Sequence, residues 1–121
     1  MVNEKPPTFI VGCSRSGTTL LQSLLDAHPN IAIPPESQIY HRFGGTFPYY
    51  GDLSGDRNRR RFIQDLVQDA YIAKWGMDFS IDEVERAAPA FTRSASVEAL
   101  FRLYMDKKEA KRWGDKTPEH I

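Results

Sequence analysis

Residues 8–21 constrain this chain more than any other segment, because they run from a short apolar strand through a glycine-bounded loop into an amphipathic helix. Gly12 and Gly17 bound the loop, and Arg15 is the cation between them. A glycine-rich loop that leads into a helix directs several backbone N–H groups toward one point, and the helix dipole makes that point attractive to anions. The segment therefore predicts an anion cradle, suited to a phosphate or a sulfate group, at the carboxyl end of the first strand.

The cradle departs from the phosphate-binding loop of kinases and nucleoside triphosphatases at one informative position. That loop has the pattern G-x-x-x-x-G-K-[ST], which Gly12, Gly17 and Thr19 match. Thr18 stands in place of the lysine, so the group that usually reaches the β- and γ-phosphates in phosphoryl transfer is missing. A kinase or triphosphatase with a degenerate loop stays an alternative, and so does a non-catalytic nucleotide-binding module.

The loop and the helix after it also resemble part of a known enzyme family. An Arg-Ser-Gly-Thr-Thr sequence, a leucine-rich helix and a His-Pro stop follow one another over residues 15–29. This order resembles sulfotransferases that use 3′-phosphoadenosine 5′-phosphosulfate (PAPS), most of all the tyrosylprotein-sulfotransferase-like branch and its bacterial relatives. The resemblance implies transfer of a sulfuryl group from PAPS, as co-substrate and without a metal, to a hydroxyl or amine. It also implies that the 5′-phosphosulfate is bound by Arg15, Ser16, Gly17, Thr18 and Thr19.

Glu36 is the best candidate for a catalytic base. Residues 31–33 form a short apolar run, closed by Pro34 and Pro35, that predicts a buried strand. A strand, a helix and a second strand in this order predict a βαβ unit with parallel strands. Glu36 would then leave the same sheet edge as the cradle, where a carboxylate can take the proton of an acceptor. The resemblance implies the same role, and the alternative is a solvated glutamate in a turn.

Lys116 is the second catalytic candidate. Residues 111–114 predict a short strand, after which Lys116 would leave the same edge and neutralise charge on the transferring group. The family has a lysine with that role in a segment that residues 115–118, Asp-Lys-Thr-Pro, match. Without the resemblance, a lysine in a turn is ordinarily solvated. Gln38 departs from the tyrosylprotein branch, which has an arginine there, and this weakens the case for a peptidyl-tyrosine acceptor.

Several other polar residues have simpler interpretations. Cys13 is predicted to be a small buried filler, and His28 to contact the last carbonyl groups of the first helix. His41 is a reserve candidate for the base. The basic run at residues 57–61 is predicted to be the solvated start of a helix, with recruitment of an acidic acceptor as the alternative. The single cysteine and three histidines show no recognised metal-ligand spacing.

Composition restricts the partners and the compartment. The chain has 16 basic and 16 acidic residues, which gives no electrostatic reason to expect binding to nucleic acid or to an anionic membrane. One cysteine cannot form an internal disulfide, and no signal peptide or membrane span is recognisable. We therefore expect a soluble, cytoplasmic protein. The sequence does not identify the acceptor, which is a small molecule, a carbohydrate, a lipid or a peptide.

The predicted fold is α/β, a P-loop-like parallel sheet with flanking helices. Residues 38–58 read as a long loop. Helices are predicted from Arg60 to Tyr71, from a capping box at Ser80 to about Ala88, and from a cap at Ser96 onward. The boundaries of these later elements depend on local signals alone.

The resemblance further implies an incomplete domain. Members of the family are considerably longer, and a later Arg and Ser bind the 3′-phosphate of the donor. We therefore expect residues 1–121 to be the N-terminal part of a single sulfotransferase domain, inactive and marginally folded on its own. Four apolar side chains would then lack some of their packing partners, namely Phe62, Leu66, Leu100 and Phe101.

Overall fold

The computed structural model describes residues 6–12, 17–39 and 50–116. Within these ranges the strands are β1 (Thr8–Ile10), β2 (Ile31–Ala32) and β3 (Arg112–Lys116). The helices are α1 (Thr18–Asp26), α2 (Asp56–Val67), α3 (Ala70–Ala73), α4 (Ile81–Ala87) and α5 (Arg93–Lys107). The predicted α/β class, with a parallel sheet flanked by helices, is confirmed.

The sheet has three strands in the order β1-β3-β2, and every pair is parallel. The predicted parallel orientation of β1 and β2 is therefore confirmed, although the two strands are not neighbours. The strand β3, which comes last along the described chain, lies between them and pairs Lys116 with Ile10 and Trp113 with Ala32. The strand predicted at residues 111–114 exists, begins at Arg112 and continues to Lys116.

Gly114 permits the close approach of β1 and β3. A Cβ atom at this position would lie 2.2 Å from the backbone oxygen of Thr8, far inside the contact distance of two heavy atoms. Any larger residue would therefore push β1 away from β3. The close pairing keeps the carboxyl end of β3 beside the strand that leads into the cradle.

Helix α1 begins directly after the cradle and is attached to the sheet through polar side chains. Its N-cap, Gly17, has a φ of 94°, a left-handed conformation that glycine adopts without strain. The buried Gln22 donates from Nε2 to the backbone oxygen of Ile33 at 2.6 Å. Asp26 Oδ1 accepts from the backbone nitrogen of Ile33 at 2.7 Å. These bonds tie the helix to the segment that leaves β2.

The leucine face of α1 is exposed. Leu20 is 65% and Leu24 is 63% exposed, whereas Thr18 and Gln22 are buried. The side of the helix that faces the sheet is thus chosen by the hydrogen bonds of its polar residues. On β1, Phe9 is also 57% exposed.

The segment after the predicted long loop contains more helix than predicted. Helix α2 begins at Asp56, inside the range predicted as loop, and residues 40–49 of that range lie outside the described residues. The single helix predicted from Arg60 to Tyr71 is in fact α2 and α3. Asp69 separates them, because its side chain accepts from the backbone nitrogen of Tyr71 at 3.0 Å and caps α3.

Hydroxyl side chains cap the last two helices. The capping box predicted for α4 is confirmed, since Ser80 and Glu83 each bond to the backbone of the other. The cap predicted at Ser96 is wrong. The backbone is extended at Thr92, whose Oγ1 accepts from the backbone nitrogen of Ala95 at 3.1 Å. Ser96 lies one turn further on, buried inside α5.

The hydrophobic core lies between the helices and one face of the sheet. Phe101 of α5 stacks on Trp113 of β3 with ring centroids 4.9 Å apart. The side chains expected to lack partners are instead at most 2% exposed, namely Phe62, Leu66, Leu100 and Phe101. The helices α2, α4 and α5 supply those partners by packing on one another. No helix in the described part of the chain is long and apolar enough to cross a membrane.

Candidate functional site

The structure brings together three predicted site residues, Thr19, Glu36 and Lys116. The Lys116 Nζ atom donates to Thr19 Oγ1 at 3.0 Å and lies 3.3 Å from Glu36 Oε2. The Lys116 side chain is 3% exposed and that of Glu36 is 25% exposed. A buried ammonium group needs charged or hydrogen-bonding partners, and these two residues provide them. The cation is therefore shared between the first turn of α1 and the candidate base.

The parallel topology explains this contact. Lys116 ends the central strand, Thr19 lies in the first turn of the helix that follows β1, and Glu36 follows β2. Carboxyl ends of parallel strands meet at one edge of a sheet, which is where ligands bind in open α/β folds. Residues that are far apart in the sequence thus meet at one place.

Gln38 contacts the second oxygen of the Glu36 carboxylate. Its Nε2 donates to Glu36 Oε1. The φ of Gln38 is 52°, a left-handed conformation that residues with a side chain seldom adopt. In the sequence Gln38 stands out as a departure from the tyrosylprotein branch, and nothing there indicates contact with Glu36 beyond their two-residue spacing.

A second pair joins the same two segments one residue away. Ser37 Oγ donates to Asp115 Oδ1 at 3.0 Å, and both side chains are buried. The hydrogen bonds that Lys116 donates to Glu36 and that Ser37 donates to Asp115 therefore join the segment after β2 to β3 at two successive residues. In the sequence, Ser37 and Asp115 could have been identified only because each is adjacent to a catalytic candidate, Glu36 or Lys116.

The described part of the cradle is the N-terminal turn of α1. Thr18 is buried there, and within the described residues no side chain caps the helix and no acidic residue lies in its first turn. An uncapped helix start keeps its N–H groups directed toward an incoming anion. The Thr19 hydroxyl and the Lys116 ammonium group lie beside this turn and add donors suited to an anion. The predicted ligands Arg15 and Ser16 lie outside the described residues.

Asp26 fixes the other end of α1. Its carboxylate pairs with Lys108 Nζ at 2.7 Å and accepts from the Tyr104 hydroxyl at 3.3 Å. Burial and the charge of Asp26 raise the pKa of Tyr104, so the phenol keeps its proton and donates. This network connects α1 to α5 and thereby holds Thr19 in place relative to β3.

His28 lies at the opposite end of α1 from the residues that contact Lys116. The predicted contact of His28 with the last carbonyl groups of α1 is confirmed for its backbone nitrogen, which donates to Leu25 O at 3.0 Å. Its ring Nδ1 accepts from the backbone nitrogen of Asn30 at 3.1 Å. Cys13 and His41 lie outside the described residues. In the ranges that the structure describes, no group of three or more His, Cys, Asp or Glu side chains could hold a metal ion.

The basic run at residues 57–61 lies at the start of α2, as predicted. The prediction that the run is solvated is wrong for Arg59. Arg59 is buried and pairs with Asp56 and with Glu85, the latter at 2.9 Å. The hydrogen bond that the Arg59 guanidinium donates to Asp56 raises the pKa of Arg59. Arg60 pairs with Glu85 at 3.1 Å. Since these acids already neutralise two of the arginines, the run gives little support to the alternative of an acidic acceptor.

Short stretches of the chain are similar to curated proteins. Protein-tyrosine sulfotransferase 2 of Gallus gallus is 49% identical over 39 residues, which cover 32% of this chain and 10% of that protein. Protein-tyrosine sulfotransferase of Drosophila melanogaster is 46% identical over 39 residues, 32% of this chain and 8% of that protein. Protein-tyrosine sulfotransferase 1 of Homo sapiens is 46% identical over 39 residues, 32% of this chain and 10% of that protein.

The matched stretch thus spans a tenth or less of each of these relatives. No solved structure matches the chain. The broader comparison is with a family model described as Sulfotransferase family, which matches residues 6–121. Because that match covers nearly the whole sequence, the chain belongs to the sulfotransferase family.

Proposed function

We propose that this protein transfers the sulfuryl group of PAPS to a hydroxyl or amine of an acceptor. The observation that supports this most is the position of Lys116, whose Nζ contacts both Thr19 beside the cradle and Glu36. Sulfuryl transfer needs a held anionic donor and a group that takes a proton. Lys116 lies between the residues proposed for these two tasks. Membership of the sulfotransferase family supports the same class of reaction.

The donor would be bound by the cradle. Its proposed ligands are the side chains and backbone N–H groups of Arg15, Ser16, Gly17, Thr18 and Thr19. The planar guanidinium of Arg15 suits the oxygens of phosphate and sulfate, and the first turn of α1 adds N–H donors. PAPS supplies a sulfuryl group on an already activated phosphate, so the proposed chemistry uses no metal.

Glu36 is the proposed base. As the acceptor oxygen or nitrogen forms its bond to sulfur, the bond between sulfur and the 5′-phosphate oxygen breaks, and its electron pair leaves with the phosphate. The acceptor proton passes to the Glu36 carboxylate. Lys116 and Thr19 donate to the oxygens on which negative charge develops. The partial exposure of Glu36, at 25%, leaves it accessible to an acceptor.

The acceptor and the extent of the domain are also proposals. The similar proteins are named protein-tyrosine sulfotransferases, so a tyrosine-containing peptide is the first acceptor to test, beside small molecules, carbohydrates and lipids. Residues 1–121 are proposed to be the N-terminal part of a single sulfotransferase domain. The exposed apolar side chains of α1 and β1 support this, since a larger domain would cover them.

Radiolabelled PAPS tests the proposed function in the full-length protein. We expect the label to move to at least one acceptor from a panel of these four classes. Hydrolysis of ATP that depends on magnesium would instead favour a kinase or triphosphatase with a degenerate loop. Binding of 3′-phosphoadenosine 5′-phosphate without transfer to any acceptor would favour a non-catalytic nucleotide-binding module.

A further inference from the structure

The two oxygens of the Glu36 carboxylate are held by donors from different parts of the fold. Oε2 lies 3.3 Å from Lys116 Nζ, and Oε1 accepts from Gln38 Nε2. Lys116 belongs to β3 and also donates to Thr19 at 3.0 Å, whereas Gln38 belongs to the same segment as Glu36. The two contacts therefore respond differently to an anion in the cradle.

An anion bound in the cradle would compete with Glu36 for Lys116. The other partner of this ammonium group, Thr19, lies in the helix turn toward which an anion is drawn. A lysine is a compact charge on a flexible stem, so its attraction to the anion weakens its contact with Oε2. Gln38 donates to the other oxygen and shares the backbone segment of Glu36, so its contact does not depend on Lys116.

We propose that Gln38 is the positioning residue of Glu36, holding Oε1 so that Oε2 stays directed toward Lys116 and the acceptor proton. This inference rests on the proposed function. A glutamine amide orients a carboxylate without adding a positive charge that would compete with Lys116. Two charged groups of β3 contact this segment: Lys116 contacts Glu36, and Asp115 accepts from Ser37.

The substitution Gln38→Met tests the proposal in the full-length protein, with Gln64→Met as the matched control. Methionine is similar in length to glutamine but donates no hydrogen bond, and Gln64 is exposed on α2. We expect kcat for sulfuryl transfer to fall by about tenfold or more, the usual magnitude of a hydrogen bond to a charged group. The KM for PAPS should stay unchanged. The acid limb of the pH–rate profile should move to higher pH, because the lost bond favoured the charged carboxylate.

A second variant, Gln38→Arg, keeps N–H donors at the same position and adds a positive charge. We expect turnover to be retained and the acid limb to move to lower pH. Opposite shifts in the two variants would not arise from a purely structural role. Loss of binding to 3′-phosphoadenosine 5′-phosphate would reveal that Gln38→Met does not fold. In that case Gln38→Arg alone tests the proposal.

Equal kcat and equal pH profiles for Gln38→Met and Gln64→Met would overturn the proposal, and so would lower turnover in both Gln38 variants with unchanged acid limbs. Carbon-13 NMR of the Glu36 carboxyl follows its titration without turnover. A titration midpoint that does not rise in Gln38→Met would show that the contact is absent and would also overturn the proposal.

A wild-type protein that transfers no sulfuryl group would reject the proposed function. The NMR titration would still decide whether Gln38 holds the carboxylate.

Discussion

The helical layer, formed by α2, α4 and α5, and the cradle edge, formed by β1 and α1, are packed in opposite ways. In the helical layer Phe62 and Leu100 are fully buried and Phe101 is 2% exposed. In the cradle edge Phe9 is 57% and Leu24 is 63% exposed. The helical layer therefore buries its large apolar side chains, whereas the cradle edge exposes several of them and buries the polar Thr18 and Gln22.

The two regions therefore have different roles: the helical layer stabilises the fold, and the cradle edge orients the groups proposed to react. Apolar burial is non-directional and scales with the area removed from water, so it stabilises the helical layer without orienting any reactive group. Hydrogen bonds are directional, and they hold the cradle edge and its neighbours, as in the contacts of Gln22 with Ile33 and of Ser37 with Asp115. Substitutions in the helical layer should therefore lower stability, and substitutions near the cradle should lower turnover.

The largest effect is expected for Glu36→Gln in the full-length protein. The amide keeps the shape of the side chain but cannot take the acceptor proton, so kcat for sulfuryl transfer should fall by about 10²–10⁴-fold. Thermal stability and binding of 3′-phosphoadenosine 5′-phosphate should be retained. Glu109→Gln, at an exposed glutamate after α5, is the control. Turnover close to that of the control would contradict Glu36 as the base and direct attention to His41.

Phe101→Ala tests the helical layer. It removes a buried ring that stacks on Trp113, and the lost burial together with the cavity should lower the free energy of unfolding by about 3–5 kcal/mol. Urea denaturation measures this change. Phe91→Ala, at a ring that is 55% exposed, should cost less than about 1 kcal/mol. Equal losses in the two variants would contradict the assignment of the stable core to this layer.

A smaller effect on stability is expected for Leu24→Ser, which tests whether the cradle edge stays open. If residues 1–121 are part of a larger domain, the rest of that domain covers this leucine, and serine should lower the stability of the full-length protein by about 1.5–3 kcal/mol. Gln64→Ser on the exposed side of α2 is the control. Unchanged stability of Leu24→Ser would show that this face stays in water and would contradict the domain proposal.

Local sequence signals predicted the elements that carry the site. The strand and the helix that flank the glycine loop, the apolar run before Pro34 and the capping box at Ser80 each depend on neighbours in the sequence, and each is found where predicted. Residues 13–16 of the loop itself lie outside the described residues. Parallel strands then led to the expectation that Glu36 and Lys116 would leave one edge, and the structure places them in contact.

Long-range and conformational features could not be predicted in this way. The insertion of β3 between β1 and β2 depends on pairing across most of the chain, such as Thr8 with Gly114. The contact of Gln38 with Glu36 occurs where the backbone is left-handed, and residue type alone does not predict that conformation at a glutamine. Helix α1 packs on the sheet with the side that carries Gln22, which is buried. The spacing of the leucines in α1 does not predict the burial of this polar residue.

Isothermal titration of 3′-phosphoadenosine 5′-phosphate into Lys116→Met shows whether Lys116 serves the cradle as well as the base. Lys111→Met, at an exposed lysine just before β3, is the matched control. We predict that Lys116→Met weakens binding by about tenfold or more, since a charged contact to the phosphate is lost, while Lys111→Met binds like the wild type. Equal affinities of the two variants would show that Lys116 does not contact the bound nucleotide.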